Sequence, residues 1–259
     1  MCRVRAGFAI AAFVALLATI AGTKAEVDLI EGNPLIEIPA GSFIFGNDSG
    51  PENERPQSVE TLPGFAMNRT EITNAQYRHF AAETGHEPTF YTGHPMLGLD
   101  DRPAVGLSWN DADDFCRHYG LALPSEREFE RAARGTEGAS FPWGDAPAGL
   151  TRISGGSDTC CTEDERDGYR VTAPVGAFEN GASAEGIVDL IGNVWEWTRD
   201  VYAPYQAEPA AEIAGKFKVL RGGAWNSDPE KLSATYRLAF DPDFRFAANG
   251  GFRCVRSPS

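Results

Sequence analysis

The sequence predicts an α+β chain of modest regular content, and three observations carry that prediction. Short strand-like runs, such as Leu35-Ile-Glu-Ile38 and Lys218-Val-Leu-Arg221, recur toward both ends. Helical spacing with capping residues is confined to three segments within residues 70–135. Residues 141–183 are rich in Gly, Pro, Asp and Thr and show no period, a length that a plain connection rarely reaches. Few helices, many short strands and long irregular connections define the α+β class. At 259 residues and 42% hydrophobic content the chain suffices for one sizeable domain and is short for two.

The elements follow in order. Arg3 and Arg5 precede an apolar run over residues 6–20, then small residues up to Ala25, which reads as a secretory signal over residues 1–25; an uncleaved anchor is the alternative. Residues 35–46 alternate and read as a hairpin turning at Ala40-Gly41. Residues 47–57 are a polar loop, and residues 59–67 return to an extended pattern. The first helix is capped by Thr73, carries Tyr77, Phe80 and Ala81 on one face and stops at Gly85. Asn110 is the expected cap of a second helix with Ala112, Phe115, Cys116 and Tyr119 inward. Ser125-Glu-Arg-Glu128 is a capping box that opens a third, running through Phe129, Ala132 and Ala133 to Gly135. Residues 218–225 are a strand entering a Gly-Gly bend, residues 233–240 its candidate partner, Asp241-Pro-Asp243 a turn, and residues 249–255 a last strand that carries Cys254 inward.

With 23 basic and 37 acidic residues the net charge is −14, and losing Arg3, Arg5 and Lys24 with the signal takes it to −17. Nucleic acid is disfavoured as a partner, and no membrane association is expected after cleavage. The mature chain is expected to be exported, periplasmic or secreted, where cysteines oxidise. Cys116, Cys160, Cys161 and Cys254 allow three pairings; Cys160 and Cys161 are adjacent, whereas Cys116 and Cys254 can close a long loop, a contribution of ~4 kcal/mol. His79, His86, His94 and His118 match no zinc spacing. Asp158, Glu163, Asp164, Glu165 and Asp167 form either a solvated acidic loop or a cation-binding one.

The most site-like stretch is Asp189-Leu-Ile-Gly-Asn-Val-Trp-Glu-Trp-Thr-Arg-Asp200. Gly192-Asn193 tolerate positive φ and interrupt a strand beginning at Ile187, which exposes carbonyls. Asp189 and Glu196 flank that turn, so carboxylate and carbonyl oxygens converge as calcium prefers. Alternation puts Trp195 and Trp197 on one strand face and Glu196 on the other. The plainer reading is two core tryptophans beside a solvated carboxylate.

Glu71-Ile-Thr-Asn-Ala-Gln-Tyr77, Leu123-Pro-Ser-Glu-Arg-Glu-Phe-Glu130, Trp143-Gly-Asp145, Gly192-Asn-Val-Trp-Glu-Trp197, Leu220-Arg-Gly-Gly-Ala-Trp225 and Gly251-Phe-Arg-Cys254 together resemble the formylglycine-generating enzyme (sulfatase-modifying factor) family over residues 35–256. The resemblance implies one domain with a variant C-type-lectin-like fold. It implies a structural calcium on Asp189, Glu196 and the carbonyls of Gly192 and Val194. A second calcium falls on Asp167 and the Tyr169 carbonyl, although the asparagine expected after Trp143-Gly-Asp145 is missing and Thr151 is nearest. It selects the Cys116–Cys254 pairing.

Family enzymes oxidise a substrate cysteine with oxygen and copper held by two cysteines. Here those positions are Ser227 and Leu232, and copper(I) needs thiolates; Cys160 and Cys161 are the other thiols to consider. Ala224 replaces the family's serine, whereas Trp195 and Asn249 match residues of its oxygen pocket; Trp225 is the remaining pocket candidate. The fold also resembles iron enzymes of ergothioneine synthesis, whose histidine-bearing helical domain this chain lacks, and an exported protein of siderophore maturation that does without the copper cysteines. The resemblance thus implies oxidative maturation of a protein or peptide, without copper or iron held in the families' usual ways. The alternatives are a calcium-stabilised binding module presenting Trp225, Asn226, Tyr236, Phe240, Phe244 and Phe246, or a structural subunit of an envelope complex.

Overall fold

In a computed structural model, residues 32–146, 149, 151–155, 165–205 and 215–258 are described. The expected signal at residues 1–25, Cys160, Cys161, Asp158, Glu163 and Asp164 lie outside them.

β1 (Leu35–Ile38) and β2 (Gly41–Phe45) do not pair with each other, contrary to the hairpin expected there. β1 pairs antiparallel with β4 (Phe65–Asn68), and β2 with β3 (Ser58–Leu62). The reason is burial: Phe65, Ala66, Met67 and Asn68 are all inaccessible, so β4 takes the centre of a sheet ordered β1-β4-β9, with β9 at Val255–Arg256. The two links run side by side, and a Cβ on Gly64 would lie 3.2 Å from the Ala40 nitrogen.

The three helices form where capping residues predict. α1 (Asn74–Thr84) carries the Thr73 cap and Gly85 in the left-handed conformation, and α3 (Glu126–Arg134) the Ser125–Glu128 box. α2 (Trp109–His118) starts before Asn110, because Ser108 and Asp111 make a reciprocal capping box, with Ser108 N–H donating to Asp111 at 2.7 Å. Asn110 instead donates to Asp243 from the first turn. Ala112, Phe115, Cys116 and Tyr119 are buried, and Cys116 is disulfide-bonded to Cys254.

A four-stranded sheet runs β7-β6-β5-β8, with β5 at Trp195–Val201, β6 at Lys218–Arg221, β7 at Arg237–Phe240 and β8 at Gly250–Gly251. β5 and β8 are parallel, and the other neighbours antiparallel. Residues 187–191 form no strand. Beneath the sheet, Glu126 and Glu130 of α3 meet buried arginines. Arg221 reaches Glu126 at 3.0 Å and Glu130 at 2.5 Å, Arg237 holds both oxygens of Glu126 at 2.6 Å, and Arg134 and the Gly46 N–H fill Glu130 Oε1 at 2.8 and 2.7 Å. No described helix is long and apolar enough to cross a membrane.

Candidate functional site

Asp189, Gly192 and Asn193 all adopt positive φ, as the Gly-Asn turn leads one to expect for the last two. A Cβ at Gly192 would sit 2.4 Å from the Ser154 carbonyl, so the turn admits glycine alone. Asn193 locks the turn in place: its N–H donates to Ser154, its side-chain oxygen accepts from Ala173 N–H at 2.9 Å, and its amide donates to Glu71 at 3.0 Å. Directly after it, β5 turns Trp195 and Trp197 into the main apolar core.

Glu196 does point to the opposite face, but that face is also closed, and the solvated reading is therefore incorrect. Glu196 and Arg253 are fully buried and form a bidentate pair, with both contacts at 2.7 Å. Arg253 spends its other donors on the carbonyls of Asn68, Arg69 and Val188. Asp189 accepts from Gly176 N–H at 2.6 Å. Glu71, 118 residues earlier in the chain, completes the group; it is fully buried, and its Oε2 has no hydrogen-bond partner.

Burial raises the pKa of Glu71 well above the ordinary glutamate value, and the Asp189 charge raises it further. Burial likewise raises Asp189 and Glu196, against the pull of Gly176 N–H on the first and of Arg253 on the second. Three carboxylates thus face the Arg253 guanidinium, with Arg69 acting on Asp189 as well. Facing carboxylates in such a place share either a proton or a cation.

No three His, Cys, Asp or Glu side chains converge as a ready metal cluster among the described residues. The donor chemistry nevertheless fits calcium. Glu71 Oε2 is unpartnered, Asp189 lies within its electrostatic reach, and carboxylate oxygens that already accept one bond keep a second lone pair. Glu71 was invisible in the sequence as a site residue, because only tertiary contacts bring it to Asp189. At the second expected site, Asp167 is half-buried and accepts from the Tyr169 N–H at 2.8 Å, while Thr151 is exposed.

The copper positions are closed. After the bend at Gly222 and Gly223, both at positive φ, Ala224 N–H donates to Ser227 Oγ at 3.0 Å and Ser227 N–H returns to Ala224 at 2.9 Å. Ser227 is buried, and Leu232 belongs to the second apolar core, against Gly223 and Gly155. A hydroxyl and an isobutyl group hold no copper(I), and Cys116 and Cys254 are spent on their disulfide. The other residues expected to frame a pocket lie together. Trp195 packs on Tyr236 at 5.8 Å and donates its N–H to the Asn249 carbonyl at 2.8 Å. Asn249 donates to Asn226 at 2.8 Å, and the Trp225 indole to the Ala248 carbonyl at 3.3 Å. Of the aromatic residues considered as a ligand surface, Trp225 is buried, Tyr236 and Phe240 are half-buried, and Phe244 and Phe246 are exposed.

This arrangement agrees with comparisons to known proteins. The family description that fits is "Sulfatase-modifying factor enzyme 1-like domain", over residues 23–258. The chain is 31% identical to the formylglycine-generating enzyme of Thermomonospora curvata, covering 86% of this chain and 93% of that protein. It is 28% identical to the inactive C-alpha-formylglycine-generating enzyme 2 of Mus musculus, covering 94% and 92%. The structure of PvdO from Pseudomonas aeruginosa superposes with a TM-score of 0.70 at 24% identity, over 86% of this chain and 94% of that one. The expected fold, α+β of low regular content, is thus the fold observed.

Proposed function

Because this chain belongs to the sulfatase-modifying factor enzyme 1-like family, we propose that it serves the oxidative maturation of a protein or peptide outside the cytoplasm, by a route that does not use the copper–dithiolate centre. One observation supports the reading: hydrogen bonds hold Trp195, Trp225, Asn226 and Asn249 together, whereas the two positions that match the family's copper cysteines are buried Ser227 and Leu232. Export rests on the Arg3, Arg5, apolar-run and Ala25 pattern. Structural calcium at Glu71, Asp189, Glu196 and the carbonyls of Gly192 and Val194 is part of the proposal, supported by the excess of buried negative charge. A second calcium at Asp167 and the Tyr169 carbonyl is included with less support from the residues, since the asparagine partner is absent.

The burial of Ser227 and Leu232 also favours a second reading, a binding module of the same fold that has lost oxidation altogether. Mass spectrometry of the exported fraction separates the two. A deletion strain is expected to accumulate an under-oxidised protein or peptide, restored by the wild-type chain and equally by Ser227→Ala. Identical masses with and without the gene would overturn the oxidative reading and leave the binding module. Conversion of a peptide cysteine to formylglycine by the purified chain, dependent on added copper, would overturn the copper-free route.

A further inference from the structure

Large apolar side chains exposed on a rigid surface mark a place where something docks. Phe90, Phe244 and Phe246 are 59%, 42% and 56% exposed, and they are contiguous. Phe240 meets Phe244 at 5.5 Å, Phe244 meets Phe246 at 5.6 Å, Phe246 meets Phe90 at 4.8 Å and Phe90 meets Tyr91 at 5.1 Å, all near-perpendicular. Each edge-to-face contact covers part of one ring, and the exposure of Phe90, Phe244 and Phe246 leaves the remaining aromatic surface to solvent.

The strip is fastened rather than loose. Tyr91 Oη donates to the Phe246 carbonyl at 3.1 Å, Gly106 N–H to Ala247 at 3.0 Å, and Trp109 N–H to Pro242 at 2.9 Å. Its inner end reaches the pocket frame: Phe240 packs on Trp197 at 5.8 Å, and the same loop ends at Asn249, whose carbonyl takes the Trp195 N–H.

Its border is acidic. Asp241 and Asp243 are exposed beside the rings, and Glu87 and Asp111 lie behind them. Of the cations at this border, Arg245 is already shared by Glu87 and Asp111, Lys218, opposite Phe240 in the sheet, lies over the Trp109 ring at 3.8 Å, and His86 contacts Asp111. Open aromatic faces bordered by excess carboxylate attract side chains that are apolar or cationic, and repel anionic ones.

We propose that the strip formed by Phe90, Phe246, Phe244 and Phe240 docks an extended polypeptide segment carrying basic and apolar side chains, leading it toward Trp195 and Asn249. This rests on the reading that the substrate is a protein or peptide. It adds the chemistry of the segment recognised and the surface that recognises it.

The test uses the full chain and a fluorescent ten-residue peptide alternating Lys with Phe and Leu, beside a counterpart with Glu for Lys, followed by anisotropy. The Lys peptide is expected to bind about tenfold or more tightly than the Glu peptide. Phe244→Ser with Phe246→Ser is expected to weaken it by about tenfold. Asp241→Asn with Asp243→Asn should weaken it several-fold, an effect that shrinks as salt rises. Val59→Ser, at an exposed apolar position on β3, should change nothing and controls for general stickiness. Equal binding of the two peptides, or unchanged binding by the double-serine variant with an unaltered melting curve, would overturn the proposal. So would finding that the double-serine change abolishes self-association or adhesion to zwitterionic vesicles while peptide binding stays the same. Binding needs no turnover, so the two readings fail separately. Peptide docking lost in the double-serine variant, without oxidation of any substrate, supports the strip and removes the oxidative role. Oxidation of a substrate whose KM ignores the double-serine change removes the strip and keeps the role.

Discussion

Two buried clusters of charge lie side by side on one face of the four-stranded sheet, where Glu196 and Arg221 are register partners, and they are built on opposite principles. Under β6 and β7, buried Glu54, Glu126 and Glu130 meet Arg134, Arg221 and Arg237, three charges of each sign, and every oxygen of Glu126 and Glu130 accepts at least one bond. Beside β5, Glu71, Asp189 and Glu196 meet Arg253, with Arg69, itself paired to Glu179, acting on Asp189, and one oxygen of Glu71 has no donor. A closed network of matched charges fixes how elements pack. An unmatched one retains capacity for a further cation, and that difference separates scaffold from site.

The largest expected effect lies in the matched cluster. Arg221→Ala removes the one guanidinium shared by Glu126 and Glu130, leaves Glu130 Oε2 without a donor in a dry interior and should cost about 3–5 kcal/mol, read as a fall in the urea midpoint at constant slope. Calcium should have no influence on that loss. In the unmatched cluster, saturating calcium at about 100 times its dissociation constant should add about 2.7 kcal/mol, and chelator should remove it. An unchanged melting curve in chelator would erase the distinction between the clusters.

Smaller and more telling is Glu71→Gln. Without calcium it removes a like-charge contact and should cost less than about 1 kcal/mol or stabilise slightly, yet it should abolish the response to calcium. A loss as large as that of Arg221→Ala would mean that Glu71 is an ordinary structural partner. The smallest effect is in pH. A carboxyl whose pKa is raised by folding binds its proton more tightly in the folded chain, so its contribution is full below the ordinary value and fades as pH rises through the raised one. Chelated protein should therefore lose stability as pH climbs from about 4.5, where an ordinary glutamate titrates, and calcium should flatten that slope. Urea midpoints across the range, with and without calcium, measure it.

What could be read from the sequence was what short-range chemistry decides. Thr73, Ser125 and Glu128 announce their helices because capping is settled within four residues. The Gly192-Asn193 turn and the Gly222-Gly223 bend announce themselves because few other residues adopt their φ. The disulfide needed the family resemblance, since four cysteines alone leave three pairings open. What escaped depends on distant partners. Residues 35–46 carry a hairpin pattern, but β4 offers β1 a better-buried neighbour than β2 does, and β2 pairs with β3 instead. Glu196 alternates as predicted, yet its solvent side is covered by Arg253, 57 residues away. Glu71 looks like a residue ahead of a helix, and only the fold makes it the third carboxylate of the site. Ser108 was overlooked beside Asn110, although Asp111 three residues on carried the signal.

Elemental analysis of the chain purified from the exported fraction without chelator tests the account most directly. About one equivalent of calcium, absent from Glu71→Gln and retained in Ser227→Ala, with no copper, is the predicted result. Copper near one equivalent, or no calcium in the wild-type chain, would contradict it.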